Sequence, residues 1–79
     1  MSKIITLADM GRGMEGNIVS ISGGKGLDMK LEGMGIRVGC RIKMIRSQAL
    51  KGPVIISSGS TQVAIGFGMA RNISVEVLG

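Results

Sequence analysis

Near the end of the chain Ile73, Val75 and Val77 are separated by Ser74 and Glu76. A period of two is the mark of a strand with one face turned inward. Short β-like runs punctuated by glycine predict strands over residues 17–22, 41–47, 54–58, 61–65 and 73–78. In residues 41–47, Ile42 and Met44 alternate with Arg41 and Lys43, and Arg46 follows after Ile45, so one face is apolar and the other basic. Ser58-Gly59-Ser60 separates two of the runs and predicts a hairpin turn. Only residues 25–32 show a helical period. There Leu27, Leu31 and Met34 fall at i, i+4 and i+7 on one face, and Gly33 and Gly35 supply the stop. A second helical turn is expected near residues 67–71.

Composition strengthens the all-β reading. The 79 residues include 11 Ile and 6 Val against 5 Leu and 4 Ala, and β-branched side chains favour the pleated surface over the helix. Fourteen glycines are spread through the chain and punctuate the short apolar runs as tight turns would. A chain of this length forms one domain, taken as residues 1–79, with a stability of roughly 4–12 kcal/mol. No apolar run exceeds three residues, whereas a membrane span needs about 20. The first residues lack the apolar stretch of a signal peptide, and the one Cys has no mate, so the reducing cytosol is the expected compartment.

Chemistry is limited by what is missing. With no His and one Cys, a His/Cys metal cluster, a Ser-His-Asp triad and an intrachain disulfide are all excluded. No cofactor, metal or catalytic residue is expected, and the protein is read as a non-enzyme. Gly11-Arg12-Gly13-Met14-Glu15-Gly16 matches G-x-G-x-x-G, but a strand-like run follows it where a dinucleotide site requires a helix. It is read as a turn. Gly66-Phe67-Gly68 resembles the centre of an RNA-binding signature, yet Phe67 is the sole aromatic residue and no stacking platform can be assembled from it. Phe67 is therefore expected to plug the core. Cys40 is expected to start a strand as a small buried apolar side chain.

Charge is more informative. Residues 1–32 carry four basic and four acidic side chains, residues 33–75 carry six basic and none acidic, and the whole chain stands at +5. One end of the fold should be basic and suited to an acidic protein, a nucleic acid or an anionic surface. Met29, two residues from Leu27, points away from the helix's inward stripe and is a candidate contact for a partner.

The order of these features resembles the FeoA family, small cytoplasmic accessories of bacterial and archaeal ferrous iron transport. The resemblance covers almost the whole chain. It runs through Leu7-Ala8-Asp9-Met10-Gly11, Gly16-Asn17-Ile18-Val19, the segment from Leu27-Asp28-Met29-Lys30-Leu31 to Gly39, Gly52-Pro53-Val54, Val63-Ala64-Ile65 and Ala70-Arg71-Asn72-Ile73-Ser74-Val75. Val38 departs from the pattern, standing where a Pro is common. The resemblance implies an SH3-like barrel of about five strands with one short helix. It also implies a partner, the membrane iron transporter FeoB, met on its cytoplasmic side. The expected contact residues are Leu27, Met29 and Met34 for burial and Arg37, Arg41 and Lys43 for steering, within a basic stretch reaching Lys51. Self-association is compatible with this reading; membrane insertion and nucleic-acid binding are not expected. The alternative reading is a small basic β-barrel that binds nucleic acid, which the single aromatic residue disfavours.

Overall fold

The computed structural model describes residues 3–47 and 52–78. Lys51, at the end of the expected basic stretch, lies outside them. Six strands are present among the described residues: β1 (Lys3–Thr6), β2 (Glu15–Ile21), β3 (Arg41–Arg46), β4 (Val54–Ser58), β5 (Thr61–Ile65) and β6 (Ile73–Val77). A 3-10 turn, Leu7–Asp9, follows β1; helix α1 (Gly24–Gly33) links β2 to β3, and the short α2 (Phe67–Ala70) links β5 to β6. All neighbours pair antiparallel, in the order β1-β6-β2-β3-β4-β5.

The five expected strands form within a residue or two of their predicted ends, and β1 is an addition. Its segment Lys3-Ile4-Ile5-Thr6 does not alternate. It becomes a strand because β6 supplies a ladder, with Lys3 opposite Val77 and Thr6 opposite Ser74. β6 is consequently a central strand, paired to β1 on one side and β2 on the other.

Among the described residues thirteen apolar side chains are buried, including Leu7, Ile18, Leu31, Ile36, Ile42, Met44, Ile56, Ile65, Ile73 and Val75, and no polar or charged residue is buried with them. The alternation of β3 survives a register shift between Met44 and Arg46. A bulge at Ile45 absorbs one residue, which leaves Ile42 and Met44 inside and Arg41, Lys43 and Arg46 exposed. The turn of Leu7–Asp9 packs on β6 and α2 and closes one end of the barrel with Leu7.

Phe67 does not plug the core. It is half-buried and stands outside the packed cluster, while Ala70 is fully buried and Met69 packs against the cluster. A methyl group and a flexible thioether take the inward positions of α2, so the ring lies at the surface. Cys40 precedes β3 and is half-buried against the core, its Sγ donating to the Gly35 carbonyl at 3.6 Å. The glycine motif 11–16 turns at Arg12-Gly13, as expected, and its last two residues open β2: Gly13 N–H donates to the Met44 carbonyl at 2.8 Å, and Met14 N–H to the Gly11 carbonyl at 3.1 Å.

Candidate partner-binding surface

Helix α1 is poorly provided at its start. Gly23 at the N-cap has φ +116° and no side chain caps the first turn. Its end is firmly built. Gly35 N–H donates to the Glu32 carbonyl and Ile36 N–H to the Leu31 carbonyl, both at 2.9 Å, with Gly35 at φ +83°. This is a Schellman stop, and the apolar contact that accompanies such a stop pairs its two flanking positions, Leu31 and Ile36. Both are fully buried. The predicted stripe is therefore mainly a seam: Leu31 is buried, and Leu27 and Met34 are half-buried and packed on the core. Met29 lies about 200° around the helix from Leu27. It is 71% exposed, so of the three apolar contacts expected from the sequence it alone presents most of its surface.

Beside α1 is a shallow hollow of about 220 Å³, lined by Ile21, Asp28, Glu32, Ile36, Arg37 and Val38. Asp28 and Glu32 stand one turn apart on the flank of the helix, and Arg37 and Val38 belong to the loop that follows the Schellman stop. Val38 is 58% exposed. The hollow thus has an apolar floor and rim with two carboxylates on the helix side and a guanidinium on the loop side. It can accept an apolar side chain from a partner and offer hydrogen bonds of both signs around it. Sequence reasoning found Arg37 but missed Asp28, Glu32 and Val38. The i, i+4 spacing of the two acids on the face next to the apolar stripe was the available signal.

Arg41 and Lys43 belong to a different place. With Glu15, Ile42, Ser57 and Gly59 they line a second hollow of about 300 Å³ on β2, β3 and β4. Lys43 stands opposite Glu15 and Arg41 opposite Asn17 in the β2–β3 ladder. The six expected contact residues accordingly fall into two groups, Leu27, Met29, Met34 and Arg37 around α1, and Arg41 and Lys43 on β3. All five acids and Cys40 lie among the described residues, and nowhere do three such groups come together as a metal site would require. No helix among the described residues is long and apolar enough to cross a membrane.

Six antiparallel strands with, among the described residues, a single helix of more than one turn and a 3-10 turn define the class, a small SH3-like domain. Comparison with known proteins narrows it. The FeoA domain matches residues 5–77, and the chain belongs to the FeoA family. A Fe(2+) transport protein A of Methanocaldococcus jannaschii is 43% identical over 70 residues, covering 89% of this chain and 83% of that one. The crystal structure of an iron uptake regulatory protein, FeoA, superposes with a TM-score of 0.91 at 38% identity, covering 96% of this chain and all of the other. The FeoA of Stenotrophomonas maltophilia, solved with zinc and described as a procaryotic SH3 domain protein, shares the fold at a TM-score of 0.74 and 17% identity, over 90% of this chain and 88% of its own. The family is one of ferrous iron transport accessories, as the resemblance in the sequence implied.

Proposed function

We propose that this chain is a non-enzymatic accessory of ferrous iron uptake that docks on the cytoplasmic part of a FeoB-type transporter, with α1 and its following loop as the grip. The observation that carries the reading is Met29, a large apolar side chain left 71% exposed on a helix beside a mixed-charge hollow. Exposed apolar side chains grouped at a hollow are the usual seat of a partner. Arg37 stands at the rim of that hollow and becomes desolvated on docking, whereas Arg41 and Lys43, on β3, act at longer range. Burial at α1 sets how long the complex lasts and the β3 cations set how fast it forms.

Surface-plasmon kinetics against the purified cytoplasmic region of the transporter tests this. Met29→Asp puts a charge into the contact and is expected to speed dissociation by about tenfold or more. Arg41→Glu with Lys43→Glu is expected to slow association and flatten its salt dependence while leaving dissociation nearly unchanged. Normal binding by a folded Met29→Asp variant, together with loss of binding in the Glu reversals, overturns the assignment of the grip to α1.

A further inference from the structure

β5 is an edge strand without the devices that guard edges. Its five residues, Thr61, Gln62, Val63, Ala64 and Ile65, include no charge and no Pro, and the β4–β5 register runs through all five pairs without a bulge. The opposite edge, β1, begins at Lys3, and the β2–β6 and β3–β4 ladders both carry register shifts. Unguarded edges are templates for another strand. Among the described residues no other backbone group hydrogen-bonds to β5.

The open side of β5 follows from its hairpin. Ser58 faces Thr61 across the two-residue turn Gly59-Ser60, and the pair flanking such a turn is hydrogen-bonded. Alternation then turns the N–H and C=O groups of Thr61, Val63 and Ile65 toward β4. Those of Gln62 and Ala64 face outward, and both residues are exposed.

We infer that this edge pairs with the β5 edge of a second copy of the chain, in an antiparallel, two-fold symmetric ladder centred on Val63. The match is self-complementary. Gln62 of each copy meets Ala64 of the other as a doubly hydrogen-bonded pair, giving four inter-chain bonds. At the axis the two Val63 side chains face each other as a close, non-bonded β-branched pair, which is a favourable cross-strand contact. Charge does not oppose the arrangement. The basic strand β3 lies two strands from the edge, so the two β3 strands are five strand spacings apart, about 24 Å at roughly 4.8 Å each. That is about three Debye lengths at physiological salt, and their repulsion is screened. A net charge of +5 would count for more if the copies met through β3. A ladder of five residues buries much less than the approximately 1,200 Å² of a standard stable interface, so the dimer is weak, with a dissociation constant of about 0.1–1 mM.

Sedimentation equilibrium on the full chain at physiological salt, from about 10 µM to 1 mM, should show the mass rise from 8.2 kDa toward twice that value with a midpoint in the stated range. Amide shifts followed by NMR over the same series should be largest at Gln62 and Ala64. Ala64→Pro removes the outward N–H, hence two of the four bonds, without touching the β4 ladder, and should weaken association at least about tenfold. Ala64→Val keeps the N–H and should associate like the parent. If Ala64→Pro is unfolded by circular dichroism, Gln62→Pro replaces it, and the parent's own shift pattern stands as a separate test. A mass constant at 8.2 kDa up to 1 mM, association with shifts centred on α1, or a folded proline variant that dimerises like the parent overturns the inference. So does a β5 edge that responds only to added transporter region, which would make it a heterotypic docking edge. None of these outcomes touches the Met29 test of the transporter contact.

Discussion

Replacing Gly16 by Ala adds one methyl group where β2 and β6 cross at close range. Gly16 is buried in β2 opposite Val77 of β6. A Cβ there would stand 2.5 Å from the Glu76 carbonyl oxygen and 2.5 Å from Val75 Cγ1. The carbonyl has nowhere to go, because β6 is held by ladders on both sides and any retreat from β2 drives it into β1. Two effects compete. Ala reduces the freedom of the unfolded chain, which stabilises by about 0.4–1 kcal/mol. Overpacking against a fixed backbone costs about 1–3 kcal/mol, and this site, with backbone as the obstacle, belongs at the upper end. The clash wins, for a net loss of roughly 2 kcal/mol and a fall in Tm of about 8–16 °C in a domain of this size. Gly26→Ala supplies the internal control. It lies within α1 with nothing within 4 Å of its added Cβ and no positive φ, so it should raise stability by about 0.5–1 kcal/mol. Thermal unfolding followed by far-UV circular dichroism measures both. A Gly16→Ala variant within about 2 °C of the parent would mean that β2 and β6 can part at this crossing and would rule out the clash.

Leu31→Ala empties the seam under α1. For a fully buried Leu the loss is about 2–5 kcal/mol, a large share of the total, and chemical denaturation should show it as a lower midpoint with unchanged slope. Arg37→Glu, at the rim of the α1 hollow, should raise the dissociation rate from the transporter region more than Lys43→Glu does, since the proposed docking desolvates only the former; equal effects in surface-plasmon kinetics would contradict the two-group division. Anaerobic calorimetry with Fe(II) should detect no tight stoichiometric site on the isolated chain, because no three candidate ligands converge among the described residues.

Much of the barrel was legible because β3 and β6 are half-buried and alternate, and because glycines bound the other β-branched runs. Residues 54–58 and 61–65 coincide with β4 and β5 to the residue. Helix α1 was legible for the same kind of reason, its inward stripe recurring at 27, 31 and 34. β1 was not, since Ile4 and Ile5 are adjacent and the strand exists only because β6 offers it partners. The place of Phe67 was misjudged because composition ranks a lone aromatic as core, whereas in α2 it is Ala70 and Met69 that face the core and Phe67 stays half-buried. Of the site, the basic stretch and the exposed Met29 could be read along the chain. The hollow could not, because Ile21 of β2 meets the loop 36–38 only in three dimensions. For the same reason one basic run, contiguous in sequence, is divided between two hollows in the fold.

The uncapped, glycine-bearing helix also bears on affinity. Three of the ten residues of α1 are Gly, none of its first turn is capped by a side chain, and Leu31 is its only fully buried side chain. Such an element sits at the low end of local opening free energies, so it should exchange its amide hydrogens through partial unfolding well before the sheet does. If α1 is the grip, the helix is in part a folding equilibrium, and a partner that requires it formed binds more weakly by the fraction of time it is open. Affinity could then be adjusted at Gly26, an exposed position one turn before Met29, by helix propensity alone, and selection could set the strength of the complex without altering a single interfacial side chain.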